Sequence, residues 1–241
     1  MRSANPTLSD TTFREVRRTA NSRPMTLDGV ISCSAWLLAL VLGGAAGIWY
    51  YQPPAGLVIS AAPVAAFVVA IVIILRKQAA PFLAPVYALA EGVALGGITL
   101  GAEQVYPGIA VQALGLTLGI FTALLVAYRS RLIQPSENFK LMVFSGTVGI
   151  GLYYLASFVG GMFGFQMPLI HESGLLGIGF SLLVVALASL NLVLDFDFIE
   201  QGVQARAPRY MEWYAAFGLV VTLVWLYLEV LHLLAKLRQR D

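Results

Sequence analysis

Leu190-Asn-Leu-Val-Leu-Asp-Phe-Asp-Phe-Ile-Glu-Gln201 closes a long run of almost pure hydrocarbon, and its aspartates, Asp195 and Asp197, stand at the end of that run. Another carboxylate, Glu229, sits inside the next run, in Trp225-Leu-Tyr-Leu-Glu-Val-Leu-His-Leu-Leu234. A charge facing lipid at the middle of a helix costs about 2.5–3.5 kcal/mol on insertion scales. Carboxylates persist at such depth where they face a protein interior or a water-filled path. The other apolar runs then read as the wall built around these acids.

Composition agrees with a membrane protein. Of 241 residues, 59% are hydrophobic and 12% charged, against about a quarter charged in a soluble domain. The net charge of +2, with no basic patch interleaved by aromatic residues, excludes a nucleic-acid partner. The single cysteine, Cys33, gives neither a disulfide framework nor a CxxC metal cluster. No HExxH, GxSxG or phosphate-cradling loop appears, so no enzyme and no cofactor is expected.

Spanning about 30 Å of hydrocarbon takes about 20 apolar residues. Runs near that length cover residues 30–51, 57–75, 82–100, 109–128, 141–163, 175–198 and 213–234. Short breaks with turn chemistry separate them, among them Gln52-Pro-Pro-Ala-Gly56, Tyr106-Pro-Gly108, Gln134-Pro-Ser136 and Ala207-Pro208. No alternating β-barrel pattern is present, which leaves helices as the spanning element. The expected organisation is a polar N-terminal tail over 1–29, a seven-helix all-α transmembrane domain over 30–234, and a short basic tail over 235–241.

Lys and Arg set the orientation. Twelve of the fifteen fall in the N-terminal tail and the second, fourth and sixth connections, which places the N-terminus in the cytosol. Lys236, Arg238 and Arg240 then fall outside after seven crossings, unless the last segment re-enters. Glycines four apart at Gly43/Gly47, Gly92/Gly96, Gly97/Gly101, Gly115/Gly119 and Gly160/Gly164 suit close helix packing. Trp49, Tyr50, Tyr51, Tyr106, Tyr128, Tyr210, Trp213 and Tyr214 lie at run ends, as interfacial anchors do.

Few ionisable groups lie within the runs: Glu91, Asp195, Asp197, Glu229 and His232. Asn191 is four residues before Asp195 and shares its face. Asp197 is turned about 200° from Asp195 and groups with Glu200 and Gln201. The plainer alternative is that Asp195-Phe-Asp197 marks where the helix leaves the bilayer. Thr222, Trp225, Glu229 and His232 form one polar stripe at helical spacing. Glu229 reads either as a functional acid or as one end of an interhelical bond. Glu91 lies near mid-bilayer in Pro85-Val-Tyr-Ala-Leu-Ala-Glu-Gly-Val-Ala-Leu-Gly96 and needs a partner.

These stretches, with Tyr106-Pro-Gly-Ile and Met211-Glu-Trp-Tyr-Ala-Ala-Phe-Gly-Leu-Val-Val-Thr-Leu-Val-Trp-Leu-Tyr-Leu-Glu229, resemble the Bax inhibitor family, in its bacterial YccA-like branch. The likeness covers roughly residues 25–240. It implies a seven-helix bundle with the last helix central, and a pH-sensitive calcium leak in the inner membrane gated by an acidic pair from the last two helices. The last-helix aspartate of the family matches Glu229, one methylene longer. The sixth-helix aspartate matches Asp195 or Asp197, without the usual Asp-Thr-Gln continuation.

The expected function is therefore a calcium (cation) leak with Asp195, Asp197 and Glu229 as the pH-sensing latch. Glu91, Asn191, Thr222 and His232 are pore-lining candidates, and Asp195 and Glu229 are transient calcium ligands, since hard cations take oxygen. Glu229 lies 16 residues beyond Trp213, about 24 Å along the helix, which leaves both Asp195 and Glu91 as its possible neighbour. The alternatives are a non-conducting regulator that binds a membrane protease or other membrane partner, and a proton-coupled transporter.

Overall fold

The computed structural model describes residues 23–51, 57–164 and 174–240. Each of the seven apolar runs is a helix: α1 (Leu27–Tyr51), α2 (Leu57–Leu75), α3 (Ala80–Val105), α4 (Ile109–Arg129), α5 (Glu137–Met162), α6 (Leu175–Gln204) and α7 (Tyr210–Arg240). Six of them are long and apolar enough to cross a membrane. The remaining one, α2, has 19 residues, about 28 Å at 1.5 Å per residue. The chain is a polytopic helical bundle.

Several helices outrun their apolar stretch, because hydropathy marks the lipid-facing length whereas caps and polar contacts set the end. The departures at the ends of α6 and α7 are the largest and equal, each helix running on past its apolar stretch to Gln204 and Arg240. Residues 235–240, read as a tail, are the last turns of α7, and that helix runs unbroken from Tyr210 rather than folding back. It is also the most enclosed helix, with buried residues from Met211 to Lys236. Tyr214, read as an interfacial anchor, is fully buried. The tail over residues 1–22 and the Gln52–Gly56 turn lie outside the described residues.

The chain forms two compact units. One holds residues 23–51, 57–105 and 197–221, and in it α1 and α2 pack on α3. The α1–α3 crossing is very close. A Cβ on Gly92 would lie 2.2 Å from the Val41 carbonyl oxygen, and one on Gly96 would lie 2.8 Å from Ala45 Cα. Gly44 answers from α1, where a Cβ would come within 2.9 Å of the Leu89 oxygen. Of the spaced pairs, Gly92/Gly96 therefore forms a backbone crossing, whereas Gly43, Gly47, Gly101, Gly115 and Gly119 each face open space. Tyr214 lies under Lys77 Nζ, 5.9 Å from the ring centre, and beside Phe217, which meets Tyr87 edge to face.

The other unit holds residues 106–164, 174–196 and 222–240. Gly108, at φ +85°, precedes α4 in a conformation that disfavours side chains. Ser136 caps α5 by accepting the Phe139 N–H at 3.2 Å. Of its 26 residues, α5 buries only Lys140, Val143 and Ile150. Near its start it is held by the contact of Val143 with Leu194, extended by Phe139, Phe144, Leu187 and Leu190, and further on Tyr153 and Tyr154 meet Phe180 of α6.

Candidate functional site

Glu229 is 4% exposed, in the second half of α7. The Tyr154 hydroxyl on α5 donates to both carboxylate oxygens, at 2.9 and 3.1 Å. Trp225, one turn earlier on α7, donates its indole N–H to Oε1 at 3.1 Å. Tyr154 itself rests against the Phe180 ring of α6. Among the described residues Glu229 has no basic partner: an acid removed from water is held by neutral donors. Such donors satisfy its lone pairs but supply no opposite charge.

Further along the same unit, Asn191 is buried and donates to the Thr147 hydroxyl at 2.8 Å and to the Leu187 carbonyl at 2.9 Å. Asp195 shares that face and is 0% exposed. The alignment of α6 with α7 is read from Lys236, whose ammonium donates to the Gly177 carbonyl at 3.1 Å and the Ser181 hydroxyl at 2.9 Å. In an antiparallel pair rising 1.5 Å per residue, Glu229 then stands level with α6 between Val184 and Ala188. Asp195 lies roughly 10–17 Å further along the axis. The two acids occupy different depths, and the hydrogen bonds of Glu229 go to Tyr154 and Trp225.

Of the α7 stripe, Thr222 and Glu229 are buried and Trp225 half-buried, whereas His232 is exposed. His232 follows Glu229 by three residues, a net turn of about 60°, and stands where that face meets the exterior.

In the first unit, Glu91 is half-buried on α3, one turn after the buried Tyr87. Asp197 is half-buried and accepts from Gln201 one turn on, as the grouping in the sequence suggests. A further acid there was not singled out from sequence. Glu212, in the first turn of α7, is 5% exposed. Its Oε1 accepts the Thr26 backbone N–H and the Thr26 hydroxyl, both at 2.9 Å. Arg209 approaches Oε2 at 3.7 Å. Thr26 caps α1 by accepting the Gly29 N–H at 3.0 Å. Pro24 and Pro208 form a short antiparallel bridge, and the Met25 N–H donates to the Ala207 carbonyl at 2.6 Å. Glu212 thus fastens the residues ahead of α1 to the turn between α6 and α7.

A family model described as Bax inhibitor 1 like matches residues 5–239, nearly the whole chain. The chain belongs to this family. No curated protein and no solved structure matches it. In this Bax inhibitor 1 like bundle, the notable residue beyond the acids is Tyr154. Its signal in the sequence is faint, because Ser145, Thr147, Tyr153 and Ser157 place other hydroxyls in the same run, although any of them needs a partner once buried. The partner, 75 positions away, carries no mark of the pairing. Glu212 escaped notice because it precedes the apolar run by one residue, where an acid is ordinary at a helix N-terminus.

Proposed function

We propose that this protein is a passive, pH-sensitive cation leak of a bacterial inner membrane, oriented with its N-terminus in the cytosol and passing calcium. The observation that carries the reading is Glu229, a carboxylate buried within the bundle and held by Tyr154 and Trp225 without a basic partner. A purely structural acid is ordinarily neutralised by a counter-charge when buried. An acid held by neutral donors responds to a proton or a cation, because either one changes its charge with no ion pair to oppose the change.

In this mechanism the ionised Glu229 keeps its donors engaged and the path shut. A proton weakens those bonds, and the bundle relaxes to a conducting arrangement. Asp195, fully buried a few turns along α6, is the second acid on the route, and Asn191 and Thr222 flank it as polar lining. Glu91 on α3 is a further candidate. Hard cations favour these oxygens, and the ion is cargo passing through. Asp197, tied to Gln201, is the lesser candidate for the latch.

The test is calcium influx into proteoliposomes of the whole chain between about pH 8 and about pH 6, a range above the ordinary carboxyl titration. Flux should rise as pH falls, and Glu229→Gln should conduct with no pH response. No flux at any pH overturns the leak and favours a non-conducting regulator of a membrane protein such as a protease. Flux with an unchanged pH response in Glu229→Gln removes Glu229 from the latch.

A further inference from the structure

The helix that Glu229 fastens, α5, is the least buried of the six long helices. Most of the α5 surface is exposed, including Leu141, Met142, Leu152, Leu155, Phe158 and Met162. Its apolar anchorage includes Val143 near its start, the buried Ile150, and the contacts of Tyr153 and Tyr154 with Phe180 of α6. Its attachments also include two polar ties: Thr147 to Asn191 of α6, and Tyr154 to Glu229 of α7. The first joins two neutral groups. The second ends on an acid.

We propose that Tyr154 is the positioning residue of the latch and α5 its moving part: the Tyr154 hydroxyl draws the second half of α5 onto α7 while Glu229 is ionised and slackens when Glu229 takes up a proton. This deepens the function proposed above and rests on Glu229 being the proton-sensing acid. A hydrogen bond to a charged acceptor is about twice as strong as one between neutral groups. With the carboxylate ionised, the tyrosine proton is shared between both oxygens. A proton arriving on either oxygen makes that oxygen a donor. The other oxygen remains an acceptor, so the Tyr154 hydroxyl keeps one bond, now to a neutral group and about half as strong. The Asn191–Thr147 bond involves no titrating group and serves as the fixed end about which α5 swings.

The groups facing Glu229 leave little else to respond. On α6, residues 181–191 carry no ionisable side chain. On α5, Tyr153 turns to Phe180. On α7, His232 points outward, and Lys236 is two turns further on, bound to Gly177 and Ser181. Gly149, Gly151 and Gly161 of α5 face open space, so its later turns are not interlocked through these glycines.

The test separates the proton from the movement. In the whole chain with Trp36, Trp49 and Trp213 replaced by Phe, Trp225 is the remaining indole and touches Glu229. Its fluorescence should titrate in one step that Glu229→Gln abolishes. Spin labels at Leu155 and Leu237, both exposed, in a Cys33→Ser background, then report the distance between α5 and α7. That distance should lengthen as pH falls from about 8 to about 5, approaching the ordinary carboxyl range. Tyr154→Phe should hold the long distance at every pH while keeping the fluorescence step, and Thr147→Val should keep the pH response. A distance that ignores pH while the fluorescence titrates overturns α5 as the moving part. A pH response surviving in Tyr154→Phe overturns the role of Tyr154. Absence of both signals removes Glu229 as the sensor. Calcium flux is read separately, so movement without conduction would fail the leak and leave this coupling standing.

Discussion

Glu212 and Glu229 are both glutamates of α7 and both are buried, yet they are held by opposite means. Glu212 takes two hydrogen bonds from Thr26 and stands beside the Arg209 guanidinium. It lies in a unit where Gly44, Gly92 and Gly96 bring helix backbones together. Glu229 is held by a phenol and an indole, in a unit where Gly115, Gly119 and Gly149 meet nothing. One acid is enclosed against the start of α1 with a guanidinium beside it, the other has no basic partner among the described residues and lies beside α5, of which little is buried. Burial alone therefore does not mark an acid as functional. On the function proposed above, the partner set is what separates a fastening from a switch.

The sharpest way to break this comparison is Glu212→Ala. It removes the acceptor of two hydrogen bonds to a charged group, each worth about 1.5–3 kcal/mol; Arg209 is mostly exposed and adds little. A loss of roughly 3–6 kcal/mol is expected on that basis, seen as earlier thermal exposure of the buried Cys33 to a thiol-reactive dye. Glu229→Gln keeps an acceptor for Tyr154 and should unfold close to the wild type. Equal losses in the two variants would erase the distinction.

A smaller effect is expected from Gly92→Ala, whose methyl would meet the Val41 backbone, which cannot rotate away. Overpacking of this kind costs about 1–3 kcal/mol. Gly115→Ala, facing open space, should be neutral or gain up to about 1 kcal/mol from helix propensity. The same dye assay checks both, and a neutral Gly92→Ala would mean the crossing is looser than described.

The smallest is Asp197→Asn. A half-buried acid bonded to Gln201 on its own helix should change stability by less than about 0.5 kcal/mol and leave pH-dependent flux intact. Asp195→Asn, at a fully buried position, should alter the flux. A reversal of that order would make Asp197 the latch acid.

The helices were legible because lipid imposes one requirement over about 20 residues at a time, and Leu190–Gln201 shows it plainly. The inward face of α6 was also legible, since Asn191 and Asp195 are four apart. What the sequence could not supply were contacts between distant positions. Thr26 and Glu212 are 186 residues apart, and neither looks unusual where it stands. The exposure of His232 was not legible because a stripe at +3 and +4 spacing drifts around the helix, and only the enclosure on each side shows which of its members are buried. Gly92/Gly96 could not be told from Gly115/Gly119 by spacing, because the difference lies in which helix comes opposite.

Lys236 bears on how the chain reaches the membrane. Its ammonium is spent on a carbonyl and a hydroxyl of α6, and Arg238 is bound to the Pro107 carbonyl and the Gln112 side chain. Charges engaged in this way cost less to carry across a bilayer than free ones, so they weigh less against seven crossings than their number suggests. The five-residue turn after Gln204 makes α6 and α7 a helical hairpin. Lys236 can gain its partners only where the two arms of that hairpin lie side by side, so its charge is provided for by the helix that precedes it in the chain.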